Sequence, residues 1–68
     1  MQSWIKVFED KNQIRVEIVK GVLEENGISA VVMNKKETVY HVFGTYEVLV
    51  PNENVLDAMK LIQNEISF

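Results

Sequence analysis

The sequence predicts an α+β fold of the ferredoxin-like type, β-α-β-β-α, with two helices on one face of an antiparallel sheet. Two observations carry this. Residues 13–26 and 53–65 repeat apolar side chains at helical spacing, whereas the segments between them are β-rich. Only a few residues follow the second helical pattern, so the last strand of the full arrangement is expected to be missing or a stub.

The first strand is predicted over residues 3–8, with Ile5 and Val7 on one face and Trp4, Lys6 and Phe8 on the other. Glu9 to Asn12 then read as a polar turn. In the first helix Ile14, Ile18 and Val22 recur every four residues, and Val19 and Leu23 widen the stripe. Asp10 or Asn12 can accept hydrogen bonds from the first-turn N–H groups. Asn26-Gly27 supplies a residue that tolerates positive φ just past the helix. Gly21 lies inside the helix, and close approach of the helix backbone to the sheet is its expected reason.

Residues 28–33 form an almost continuously apolar strand. A polar turn at residues 34–37 leads into a second β-rich stretch over 38–43, with a bulge expected near Gly44. Tyr46 to Val50 resume the strand and Pro51 stops it. Asn52 and Glu53 suit a helix start, and Val55, Met59, Ile62 and Ile66 form the next helical stripe. A crossover of the usual hand gives the sheet order first, third, second. The expected core is Ile5, Val7, Ile14, Ile18, Val22, Val48, Val50, Met59 and Ile62.

The 68 residues make one domain, residues 1–68. A domain of this size buries only about 60% of its unfolded surface, and small folds usually add a staple. With no Cys and a single His, disulfides are excluded and no zinc site is expected. The net charge of −3, with seven basic residues against ten acidic, argues against nucleic-acid binding. Trp4 and Phe8 share a predicted face with RNA-stacking potential, but the basic and aromatic signature of an RNA-recognition domain is missing. There is no apolar run long enough to span a membrane, and the N-terminus lacks the pattern of a signal peptide. A cytoplasmic location is expected.

Conventional catalysis finds little to work with. His41 is the only base near neutral pH and stands in a strand-like run without a nucleophile beside it. Glu24-Glu25 and Glu9-Asp10 belong to a helix surface and a turn, where like charges are solvated. Lys11, Arg15 and the helix start could hold an anion only weakly, because the glycine-rich loop of a phosphate site is absent. No catalytic residue, metal or cofactor is expected. The best candidate ligand site is the hairpin over residues 34–44, where Asn34, Lys35, Lys36 and Tyr40 combine an amide, two ammonium groups and a phenol. Its plainer alternative is an ordinary hairpin turn.

Several segments resemble a known family. They are Trp4-Ile5-Lys6-Val7-Phe8, Glu17-Ile18-Val19-Lys20 and Leu23 through Ile28. Ala30-Val31-Val32, Asn34-Lys35-Lys36, Tyr40, Phe43-Gly44, Glu47-Val48, Val50 and Ala58 complete the pattern. The chain is similar to short bacterial proteins labelled "putative prokaryotic signal transducing protein", a domain of unknown function, and looks most like the variant common in Bacteroidetes. Glu37-Thr38 departs conservatively from the Asp and Ser usual after the lysines. The resemblance implies a ferredoxin-like fold similar to PII-type signal proteins and no established ligand.

The reading of function is a non-enzymatic regulatory or protein-interaction module, with a sensor of an anionic metabolite or nucleotide at the 34–44 hairpin as the alternative. Both helices on one sheet face leave the other face with Trp4, Phe8, Leu49 and either Val31 and Met33 or Ala30 and Val32. Lys6 and Glu47 are expected to pair in that layer. Such a patch marks an interaction site. A homodimer through it, or through the open edge of the first strand, is the expected assembly beside an unidentified protein partner. The alternative is a monomer in which Ile66, Ser67 and Phe68, or a folded-over hairpin, cover the patch.

Overall fold

The computed structural model describes residues 3–35 and 44–68. The elements are β1 (Trp4–Asp10), α1 (Gln13–Glu25), β2 (Val31–Lys35), β3 (Thr45–Pro51), a single 3-10 turn at Asn52–Asn54 and α2 (Val55–Glu65). The sheet has the order β1-β3-β2, and both neighbouring pairs are antiparallel. This is the α+β arrangement and strand order expected from the sequence.

Both helices lie on one face. The buried core joins Val16, Val19 and Leu23 of α1 and Ala58 of α2 to Val48 and Val50 of β3, with Ile28 and Ala30 from the connection before β2. Val48 and Val50 alternate along one strand, so their side chains share a face.

Local chemistry explains the ends of α1. The Asn12 side chain accepts from the Ile14 N–H at 2.9 Å, and Asp10 accepts from the Asn12 N–H at 2.8 Å. At the other end Gly27 has φ +80°. Its N–H donates to the Glu24 carbonyl, and the Ile28 N–H donates to the Leu23 carbonyl, each at 3.0 Å. That pair of bonds is the Schellman motif, which brings the residue after the glycine against the third residue from the helix end. Here those residues are Ile28 and Leu23, and both are buried.

The motif corrects the predicted core. The stripe facing the sheet is Val16, Val19 and Leu23, not Ile14, Ile18 and Val22. Ile14 is 70% exposed and Ile18 46%, and Val22 is half-buried. Residues 14 and 18 lie on the side of the helix opposite residue 16, so only one stripe can meet the sheet. Leu23 belongs to the stripe that the Ile28 contact selects. On α2, Ala58 takes the innermost position while Met59 is exposed and Ile62 is half-buried. Ile5, on an edge strand, is also exposed, and Val7 is half-buried.

Gly21 also departs from expectation. A methyl group built on it meets nothing within 4 Å, so it does not mark a close approach to the sheet.

The strand ends differ modestly. Glu9 and Asp10, read as a turn, continue β1, and β2 begins at Val31 after the buried Ile28 and Ala30. The Asn52 N–H extends the β1–β3 pairing by donating to the Ser3 carbonyl at 2.8 Å. Pairing between β2 and β3 runs without a shift from Val31 opposite Leu49 to Lys35 opposite Thr45. The predicted strand over 38–43, the hairpin tip and His41 lie outside the described residues, and Gly44 immediately precedes β3.

Candidate functional site

The sheet face away from the helices is built by strand alternation and one bulge. Along β3, Glu47 and Leu49 point away from the side occupied by Val48 and Val50. Lys6 stands opposite Leu49 and Trp4 opposite Pro51, whereas Val31 and Met33 of β2 stand opposite Leu49 and Glu47. Trp4, Val31, Met33 and Leu49 line an apolar depression of about 320 Å³. Trp4 is 43% exposed and Met33 53%. Of the two β2 pairs left open by the sequence, Val31 and Met33 therefore belong to this face.

Phe8 does not. The β1–β3 register shifts between Lys6 and Phe8, which leaves Val7 as the extra residue and sets Phe8 opposite Val48. A bulge of this kind reverses the facing of the residues beyond it. Phe8 packs against the core instead, and its ring centroid lies 6.0 Å from that of Phe68. The placement of Phe8 in the open layer is thereby corrected. The same contact shows where the C-terminal residues go. Phe68 sits between Phe8 and Arg15, whose guanidinium carbon lies 5.1 Å from the Phe68 ring centroid, and so is directed away from Trp4 and Leu49.

Beside the apolar depression the face turns polar. The predicted Lys6–Glu47 pair is present at 3.6 Å, and Lys6 also reaches Glu9 at 3.5 Å. Glu9 and Glu47 stand directly opposite each other on neighbouring strands, an unfavourable like-charge pair. Lys6 bridges both carboxylates, and the Thr45 hydroxyl donates to Glu9 at 3.5 Å.

A second concavity, about 570 Å³, lies between α1 and the β2–β3 part of the sheet. Its rim includes Gln13, Glu17 and Lys20 from the helix and Asn34 and Tyr46 from the sheet. This is where the structure puts Asn34 among the predicted ligand residues. Lys35 ends β2, and Lys36 and Tyr40 lie outside the described residues. The concavity was missed in the sequence, although Gln13, Glu17 and Lys20 recur at helical spacing as a polar stripe beside the core stripe.

Of the two cations of the weak anion site expected at the start of α1, Arg15 is engaged elsewhere. Arg15 pairs with Asp10 at 3.5 Å besides covering Phe68. The Asp10 carboxyl is held below the ordinary aspartate pKa, chiefly by the Asn12 N–H and further by the Arg15 guanidinium, against an opposing effect of desolvation. A lowered folded pKa gives stability that is present above the unfolded value and lost as pH falls through the folded one. Asp10→Asn should therefore lower the urea midpoint at neutral pH, and the gap to the unmodified chain should narrow as the pH falls below the ordinary aspartate value. A gap independent of pH would contradict this.

Among the described residues no three His, Cys, Asp or Glu side chains gather where they could hold a metal ion, and no helix is long and apolar enough to cross a membrane. No curated protein and no solved structure shows significant similarity to the chain. A family model does match, over residues 4–66, which takes in both faces of the sheet and both helices. The chain belongs to the family described as "putative prokaryotic signal transducing protein".

Proposed function

We propose that this protein is a non-enzymatic regulatory and interaction module whose working surface is the sheet face opposite the helices. One observation carries the reading: Trp4, Val31, Met33 and Leu49 form a contiguous apolar depression on the side that neither helix covers. The family description supports a role in signal transduction without naming a signal. The likeness to PII-type signal proteins that the family resemblance implies is an analogy of fold, and analogy of fold does not carry a ligand.

The occupant we assign to this face is a second copy of the chain. A small domain gains burial from its own partner that it lacks alone. The size of the face sets the strength. Three strands at about 4.8 Å spacing and up to about 20 Å long present roughly 300 Å², well below the roughly 800 Å² per partner of a stable complex. The dimer is therefore weak and exchanges readily, which leaves the face available to other proteins.

Sedimentation equilibrium tests this. The expected result is reversible dimerisation in the micromolar range or above, abolished by Trp4→Glu with the circular dichroism unchanged. A chain that stays monomeric to millimolar concentration would overturn the homodimer.

The alternative of a small anionic ligand at the 34–44 hairpin has narrower support. Asn34 does line a concavity, but Glu17 stands on the same wall as Lys20, so the described part of the site has no net attraction for an anion. A saturable thermal shift with a nucleotide or anionic metabolite, which ligand binding produces by mass action, would reverse this ranking.

A further inference from the structure

The two edges of the sheet are not equivalent. Among the described residues β1 pairs only with β3, and its run is broken by the bulge at Val7. Bulges on edge strands are a device that blunts pairing with another chain. Among the described residues β2 also pairs only with β3, but all five of its residues keep an unbroken register. It carries neither proline nor bulge, and its one lysine, Lys35, stands at the last position. The outer side of β2 is thus a regular row of backbone donors and acceptors with no strand beside it among the described residues.

That edge also has a wall. The helix α1 stands beside it, and the concavity between helix and sheet is lined from the helix by Gln13, Glu17 and Lys20 and from the sheet by Ala30 to Val32, Asn34 and Tyr46 of β3. The side chains of Gln13, Glu17, Lys20 and Asn34 make no hydrogen bond or ion pair with other described residues. A free strand edge beside a helix is the geometry in which an extended peptide is captured as an added strand: main-chain hydrogen bonds give affinity and every second side chain gives specificity.

We propose that β2 and α1 together bind an extended peptide segment of about five residues as a fourth strand of the sheet. The charges on the wall define its sequence. Glu17 and Lys20 are three residues apart on one helix, which places their Cβ atoms about 5–6 Å apart. Side chains two residues apart on a strand lie about 6.6 Å apart on the same face. The partner segment therefore carries an acidic residue facing Lys20 and a basic residue two positions away facing Glu17, with β-branched residues between and around them. This proposal does not depend on the homodimer, which uses the face of the sheet rather than its edge.

Selection of a phage-displayed random heptapeptide library against the full chain tests it. Enriched peptides should contain an acidic and a basic residue two positions apart, and their binding should shift the amide resonances of Val31 to Lys35. Methylating alternate backbone nitrogens on the edge facing β2 should abolish binding. Lys20→Glu should weaken binding at least tenfold, and exchanging the acidic residue of the peptide for lysine should restore it. No enrichment, or binding that survives both N-methylation and Lys20→Glu, would overturn the proposal. Resonance shifts confined to Trp4 and Leu49 would also overturn it by moving the peptide to the sheet face. A chain already paired through its β2 edges before peptide is added would assign the edge to a second copy instead.

Discussion

Leu23→Ala should cost about 2–5 kcal/mol, the range for removing a fully buried leucine, and should leave the chain largely unfolded at room temperature. Leu23 has no exposed surface, accepts the Ile28 N–H through its carbonyl, and shares the core with Val16, Val19 and Val48. A core this small supplies only a few kcal/mol in total, so the loss approaches the whole stability of the domain. Ile18→Ala removes a side chain of similar size from the same helix and should cost less than about 1 kcal/mol, as substitutions at partly exposed positions do. Urea denaturation of the two variants distinguishes the faces of α1. Equal losses, or a larger loss for Ile18→Ala, would mean that the Ile14–Ile18 stripe faces the sheet after all.

Gly21→Ala should act in the opposite direction. Glycine in a helix interior costs about 1 kcal/mol relative to alanine, because its unfolded backbone has more freedom to lose. Gly21 has no positive φ to protect, and its missing methyl group would enter open space. Stabilisation by about 1 kcal/mol corresponds to a rise of about 4–8 °C in Tm for a domain of this size. Gly27→Ala is the control: it also meets open space but has φ +80°, where a side chain is strained, so it should lower Tm. A destabilised Gly21→Ala would show that this position serves a contact made only in an assembly.

These variants also show what the sequence carries and what it hides. Element order and the helix ends follow from local patterns, because Asn12, Gly27 and Pro51 each impose a backbone state on their neighbours, and strand order follows from the hand of the first crossover. The choice between two apolar stripes on α1 was legible too, through a pair rather than a period: Asn26-Gly27-Ile28 marks a Schellman motif, and its hydrophobic partner is Leu23. The bulge at Val7 leaves no such mark. It contains no glycine and becomes visible only in the register with β3, so the strict alternation that put Phe8 beside Trp4 failed there. Trp4 and Leu49 could be placed by alternation, whereas Val31 and Met33 could not, because the run from Ile28 to Met33 is apolar almost throughout. The α1–β2 concavity is a shape between two elements distant in sequence, and only its polar stripe is written in the helix.

The sheet face around Trp4 is the surface that we propose for association. Trp4 is the only tryptophan in the chain and lines the apolar depression itself, so its fluorescence reports on that face alone. At nanomolar concentration the emission should be that of a half-exposed indole. As concentration rises through the micromolar range, the emission should move to the blue and become protected from acrylamide. Emission and quenching that do not change with concentration or with any added partner would contradict the claim.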